Sequence, residues 1–409
     1  MVPEGWSIEP LGSLAEVNRG KFSARPRNDP RFYGGEHPFV QTGDVTRSST
    51  YLAGHSQTLN DEGLAVSKMF PADTILMTIA ANIGDVALTT YPVACPDSVV
   101  GINAKQGKAD AGWLIHRLQL EKGHLDRAAP KMAQKNINLE VLRPLPLLAP
   151  PLPEQRKIAE ILSTWDRAIE TTEALLANAR TQKRALMQSL LTGKRRFPEF
   201  EGQEWREVRF HDVFDRVRRK NTVGNENTLT ISGQDGLVSQ QEYFNKRVAA
   251  ADLSGYTLLV GGDFAYNKSY SAGYPMGAIK MQPDGQTGVV SSLYLCFALA
   301  DPEDHCREFF RHFFEAGCFN REIYKIAQEG ARNHGLLNVS VHDFFGARLR
   351  IPSVEEQRRI AEVINLSEQQ EDHDRGVVER LRIEKKALMQ QLLTGKRRVT
   401  LPSQDNCFD

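Results

Sequence analysis

The stretch KRALMQSLLTGKRR that begins at Lys183 returns 202 residues later as KKALMQQLLTGKRR, beginning at Lys385. Twelve of the fourteen positions are identical, and the exceptions are Arg184 against Lys386 and Ser189 against Gln391. The same displacement of 202 relates EQRKIAE at Glu154 to EQRRIAE at Glu356, so the duplication runs without a gap over more than forty residues. Two copies at so long a period argue against a solenoid, which stacks at least three short repeats to bury a continuous core. They argue for two similar halves.

The repeated segments read as long helices. Residues 154–191 contain neither glycine nor proline, and apolar or small side chains recur at Ile158, Leu162, Trp165, Ile169, Thr172, Leu176, Ala179, Leu186 and Leu190, with Lys183 breaking the spacing. Alternation of four and three is the seam of a helix that packs along another helix. Pro150, Pro151 and Pro153 mark the start, since proline is tolerated before and within a first helical turn but not inside. Gly193, followed by Lys194, Arg195 and Arg196, marks the stop. In the second copy Ser353 and Glu356 suit a capping box, and Ile360, Ile364, Leu381, Leu388 and Leu392 continue the seam. Ser367, Glu371, Asp374 and Lys385 fall on seam positions there, which predicts a helix that bends, shifts phase or packs loosely near its centre. A helix of that length extends about 57 Å at 1.5 Å per residue. Pairing the two helices antiparallel is the economical solution, and laying each on its own globule is the alternative. The partner-helix positions are Ile158, Leu162, Trp165, Ile169, Leu186 and Leu190 in one copy, and Ile360, Ile364, Leu388 and Leu392 in the other.

A chain of 409 residues exceeds one ordinary core. The partition that follows is a globule over 1–150, a helix over 151–197, a second globule over 198–350, a second helix over 351–398 and a tail over 399–409. GWSIEPLGSL from Gly5 resembles EWREVRFHDV from Glu204, aligning Trp6 with Trp205, Leu11 with Phe210 and Leu14 with Val213. DTILMTIAANIGDVAL and GDFAYNKSYSAGYPMGAI share a pattern of apolar run, polar loop, glycine and apolar run. Short β-rich runs such as GVVSSLYLCFAL give way to helical ones such as WLIHRLQLEKGHL and REFFRHFFEAG, so each globule reads as α+β. The rods are almost identical and the globules similar only in outline, so the rods do one job twice while the globules do related but different jobs.

Composition narrows the function. Hydrophobic residues make up 41% and charged residues 25%, no apolar run is long enough to span a bilayer, and the first residues lack the apolar core of a signal peptide, which points to a cytoplasmic protein. The five cysteines show no CxxC spacing, which argues against a disulfide framework or a structural zinc site. Formal net charge is zero, which argues against a uniformly basic surface that coats nucleic acid, yet basic clusters stand early in each half: Arg19, Lys21, Arg25, Arg27 and Arg31, and RVRRKN from Arg216.

PLPEQRKIAEIL and TQKRALMQSLLTGKRRF, with second copies about 200 residues on and a globule of about 150 residues ahead of each, resemble the specificity subunit of a type I DNA restriction–modification system. The resemblance covers essentially the whole chain. It implies two target-recognition domains, each reading one half of a split, asymmetric sequence in double-stranded DNA, separated by two antiparallel helices. It further implies two modification subunits that methylate adenine and restriction subunits that add ATP-driven translocation and cleavage. S-adenosylmethionine, ATP and magnesium would then be used on those other subunits, with none bound by this chain.

Candidate DNA contacts follow from loop position and side-chain chemistry. In the loop YNKSYSAGYP, Asn267 suits adenine, Lys268 guanine or phosphate, and Ser269 and Tyr270 phosphate. QEGARNHG and AQKNIN occupy equivalent places ahead of their helices and offer Arg332 and Asn333, and Lys135 and Asn136. In the first globule QTGDVTR, with Gln41 and Thr42, aligns loosely with ISGQDG from Ile231. Arg19, Lys21, Arg218 and Lys220 suit phosphate better than bases. Any one of these loops could equally be an ordinary polar turn.

Enzymatic readings fare poorly. LTGKRR lacks the first glycine and the hydroxyl residue of a phosphate-binding loop. PDSVVGINAK faintly resembles a nuclease carboxylate cluster, but Asn103 stands where an acidic metal ligand is needed. A glycine-rich cofactor loop and an Asn/Asp-Pro-Pro-aromatic methyltransferase motif are both missing. The remaining alternative is a coiled-coil scaffold whose globules bind proteins.

Overall fold

The computed structural model describes residues 2–80, 82–128, 136–233, 235–244, 249–271, 273–327 and 337–401. The chain forms two compact units, Met1–Ala174 with Arg375–Asp409, and Leu175–Asp374. Both are α+β.

One frame is built twice. In the first unit an antiparallel sheet runs in the order Ala15–Arg19, Val99–Ala104, Ile75–Thr78, Val86–Leu88. In the second the order is Phe214–Arg216, Leu295–Leu299, Phe264–Asn267, Ala278–Met281, the same connection strand for strand. Ile75–Thr78 and Val86–Leu88 are buried at every residue, which is why they read as unbroken apolar runs rather than alternating ones. A ribbon of Ser7–Pro10 on Pro146–Ala149, and of Arg206–Arg209 on Arg348–Ile351, closes each frame.

What hangs on the frame differs. The first unit carries a second four-stranded sheet, Gln57–Leu59, Tyr33–Phe39, Val93–Ala94 and Met69–Phe70, with one parallel pairing. The second unit has two separate two-stranded ribbons in the corresponding connections, Leu229–Ser232 with Gly236–Ser239 and Thr257–Leu259 with Gly288–Val290. Cores differ too: aliphatic residues surround Trp113 in the first unit. In the second, Phe264 and Phe297 stack with centroids 5.4 Å apart, enclosed by Phe210, Phe214, Phe314 and Phe344.

The long helices are Leu152–Leu190 and Val354–Leu392, each of 39 residues, and each begins in one unit and ends in the other. Inside the first unit two half-helices run antiparallel, with Glu154 meeting Arg398, Asp166 meeting Lys385 and Glu173 meeting Arg382. Inside the second, Arg196 meets Glu356 and Lys183 meets Glu371 in the same sense. The helical halves also contribute to the core of the unit in which they lie. Ile158, Leu162, Leu392 and Met389 join the first core, and Ile360, Ile364, Leu190 and Met187 the second, while Leu388 and Leu186 pack against them half-buried. Trp165 and Ile169 are half-buried, and Asp166 takes the covered place one turn beyond Leu162. The buried stripe thus steps by four residues, as it does on a helix facing a globular core.

At the centre of the second helix Ser367 and Glu368 are half-buried and Leu366 is exposed. The helix is continuous, and two of its polar seam residues are matched to opposite charges: Glu371 pairs with Lys183 at 2.6 Å and Arg180 at 3.1 Å. Lys385 bonds Asp166 and lies 3.2 Å from the Thr50 hydroxyl, and Asp374 accepts the Gln370 amide at 2.8 Å. Buried charges persist in a seam when each is paired. No helix among the described residues is long and apolar enough to cross a membrane.

Candidate nucleic-acid interface

In the second unit the hairpin Phe264–Asn267/Ala278–Met281 presents the loop expected to read DNA. Asn267 ends the strand, and its Oδ1 accepts the Ser269 amide at 3.0 Å, an Asx turn that shapes the loop entrance. Lys268 donates to the Val339 carbonyl at 2.7 Å, and its own carbonyl accepts the Leu337 amide at 2.9 Å. Burial, helped by the charge of Arg216, pushes the Lys268 ammonium below its ordinary range. Lys268 is thus a clamp on the chain at 337–339, where a free cation for guanine or phosphate was expected. Ser269 is half-buried, and Tyr270 is 64% exposed. Tyr270 is the residue of this group most available to a ligand.

Sequence reasoning missed what holds the far side of the loop. The Tyr274 hydroxyl lies 2.6 Å from the Gly233 carbonyl and 2.5 Å from Glu315 Oε1. Lys280, nine-tenths buried, donates to the Gly233 carbonyl at 2.8 Å, to the Tyr274 hydroxyl at 2.9 Å and to Glu315. Burial and the Glu315 carboxylate push the Tyr274 hydroxyl well above the usual phenol range. Gly233 belongs to the turn ISGQDG and Glu315 ends the helix Arg307–Glu315, so three distant segments meet here. No spacing in the sequence announces this.

The first unit's hairpin, Ile75–Thr78/Val86–Leu88, is tied at the same place. Its chain continues to Ile79, whose carbonyl accepts the Ile137 amide at 3.0 Å, the counterpart of Lys268 with Leu337. Asp85 accepts the Thr46 hydroxyl at 3.0 Å and bonds Lys122 of the helix Ala111–Ala128. Asn82 reaches Thr46 at 3.4 Å.

The other candidates distribute as follows. Asn136 is exposed and bridges Ala80, beside the first loop, whereas Lys135, Arg332 and Asn333 lie outside the described residues. Gln41 and Thr42 open the helix Thr42–Arg47: the Gln41 amide donates to buried Asp44 at 2.8 Å and its side chain to Gln57 at 2.9 Å, so they build a turn. Arg19 and Lys21 at the end of one first strand, and Arg218 and Lys220 just past the other, are exposed at equivalent places of the frame. Arg19 donates to the Asp97 carbonyl at 2.6 Å and Lys220 to that of Gly255 at 2.8 Å.

Comparison with known proteins decides among readings of this doubled frame. Residues 3–179 match the family described as type I restriction modification DNA specificity domain. The MjaVIII specificity subunit of a type I restriction enzyme from Methanocaldococcus jannaschii is 22% identical over 97% of this chain and 94% of its own length. The S subunit of a type I restriction-modification system from M. genitalium superposes with a TM-score of 0.59 at 15% identity, covering 96% of each chain. A chain from a study of complex assembly in the type I R-M system superposes at 0.57 and 15% identity, over 97% of this chain and all of that one. Residues 3–179 thus match a type I DNA specificity domain, and the chain resembles type I specificity subunits along nearly its whole length.

In this chain the duplicated segment has an internal use. Glu154, 2% exposed, receives Arg398 through two hydrogen bonds of 2.7 and 2.8 Å, and Glu356, 1% exposed, receives Arg196 through two of 2.6 Å. These are bidentate pairs, the strongest geometry open to arginine. Gln155 and Gln357, next in each copy, accept the amides of Asp110 and Cys306 just ahead of the helices Ala111–Ala128 and Arg307–Glu315. They donate to the carbonyls of Pro150 and Pro352. Each helix ends at a glycine in the left-handed region, Gly193 at φ 69° and Gly395 at φ 70°. There the chain turns so that the arginine three residues on can reach its glutamate. The repeat is therefore first a fastening of each helix end to the other helix's start.

A buried histidine faces a helix carboxylate in both units. His116 Nε2 lies 3.3 Å from Asp166, whose partners include Lys385. Burial alone would raise the Asp166 carboxyl, but His116 and Lys385 hold it below the usual carboxylate range. His312, fully buried, lies 2.7 Å from Asn365 Oδ1 and 3.9 Å from Glu368. Burial and the neighbouring Arg311 charge lower its pKa.

Proposed function

We propose that each unit reads one half of a bipartite, asymmetric DNA target, and that the chain serves as the non-catalytic recognition subunit of a larger restriction–modification complex. One observation carries this reading: a frame of identical strand order appears twice, bearing different inserts and differently built loops. Equal frames facing DNA with unequal loops would read unequal half-sites, so the target is not palindromic. A coiled-coil scaffold that binds only proteins is not favoured by the match to a DNA specificity domain.

Two modification subunits would dock on the helices and methylate adenine, and restriction subunits would add translocation and cleavage. S-adenosylmethionine, ATP and magnesium would be held by those subunits. Because the seam residues are buried or half-buried inside the units, docking falls to the exposed residues that both copies share, such as Arg156 and Arg358, Glu160 and Glu362, and Gln188 and Gln390. The setting would be the cytoplasm.

The test is a methylome. Expression with the cognate modification subunit in a methylation-free host, followed by long-read mapping of methylated adenine, is expected to yield a split asymmetric motif that disappears without this chain. A motif indifferent to the chain would refute the reading.

A further inference from the structure

We propose that Tyr274, Lys280 and Glu315 in the second unit, and Thr46, Asp85 and Lys122 in the first, are positioning clusters that set base discrimination, one cluster for each half of the target. The inference rests on the DNA-reading function above and assigns the residues that keep its loops in shape.

Each cluster ties the hairpin, a segment of the insert (the turn at Gly233 in one unit, the helix Thr42–Arg47 in the other) and the helix that follows the sheet's last strand in the chain. Lys280 has three N–H donors and all three are engaged, on the Gly233 carbonyl, the Tyr274 hydroxyl and Glu315. A buried lysine so committed offers no charge to a phosphate, so its use is internal. Tyr274 packs so closely on Gly233 that a Cβ there would lie 2.8 Å from the ring. In the first unit Asp85 shares its two oxygens between Thr46 and Lys122, and its amide donates to the Thr78 hydroxyl at 3.1 Å.

Polarity is inverted between the two. The hairpin supplies the base and the helix the acid in the second unit, while the hairpin supplies the acid and the helix the base in the first. Lys280 stands two residues along the strand from the place that matches Asp85, and similar ties with exchanged chemistry are what a requirement on shape leaves behind. Discrimination between bases depends on holding side chains to within a fraction of an ångström, and a loop free to shift admits the wrong base.

The test uses the full chain with its modification subunit and the same methylome readout, on Tyr274→Phe, Glu315→Gln, Asp85→Asn and the exchange Asp85→Lys with Lys122→Asp. Tyr274→Phe and Glu315→Gln are expected to raise methylation at sites with one wrong base in one half by about ten-fold, the size of a mismatch penalty, with the other half unchanged. Asp85→Asn should relax only the opposite half, and the exchange should restore it. Tyr274→Phe keeps the ring, and equal melting temperatures of variant and parent exclude a folding defect. Relaxation of both halves together, or of neither in a folded variant, overturns the positioning clusters alone. A parent motif that does not depend on this chain overturns the DNA reading itself.

Discussion

At the centre of the first unit Ile75 stands opposite Ile102, and at the matching place of the second Phe264 stands opposite Phe297. One pair is aliphatic, the other an aromatic stack, yet both hold the same strand order. The loop clusters repeat the lesson with charge, since Asp85–Lys122 and Lys280–Glu315 do one job with opposite polarity. The helix junctions go the other way: Glu154–Arg398 and Glu356–Arg196 use identical residue types at equivalent places of the two copies. Volume can be filled by many apolar combinations. A bidentate pair at a buried helix start admits few.

The largest expected effect strikes the cores. Phe297→Ala should cost about 4 kcal/mol and Ile102→Ala about 3 kcal/mol, each loosening its own unit first. Hydrogen exchange during urea unfolding separates the units, and equal loss of protection in both would break the comparison.

Next come the junctions. Glu356→Gln leaves Arg196, whose side chain is 18% exposed, without its charge partner, and a loss of about 3 kcal/mol is expected. Glu154→Gln should cost less, because Arg398 is 45% exposed and water screens it. The tryptophans sharpen this contrast. Trp6 Nε1 donates to Glu154 at 3.1 Å, whereas buried Trp205 Nε1 has no hydrogen-bond partner among the described residues. Trp6→Phe should therefore cost about 1 kcal/mol more than Trp205→Phe, a difference readable in denaturation midpoints.

Acid should separate the units as well. The lowered pKa of His312 means the unfolded chain binds its proton first, so this contribution to the second unit's stability is intact above pH 6.5 and falls away below it. Asp166 is likewise lowered, but from 3.8, so its contribution to the first unit persists until pH drops beneath that value. Exchange protection followed from pH 7 to 4 should decline first in the second unit, and His312→Gln should remove that early decline. The smallest effect on stability belongs to the exposed shared residues. Arg156→Ala with Arg358→Ala should change stability by no more than about 0.5 kcal/mol while weakening co-purification of the modification subunit.

From the sequence alone came the duplication, the two α+β globules, the long helices with their starts and glycine stops, and the hairpins with their polar loops. These are local or periodic properties: an apolar period, a proline, a glycine and a repeated string act within a few residues of where they are written. Only the tertiary structure decided what the repeat is for and which loop residues are free. Arg196 and Glu356 lie 160 residues apart, and Lys280 meets Gly233 and Glu315 across 47 and 35. Nothing in a linear pattern distinguishes a lysine aimed at phosphate from one clamped on a carbonyl, as Lys268 is on Val339. Nor could periodicity foresee that Glu371 and Lys385 would be matched in a seam, because opposite charges meet there only once the helices are paired.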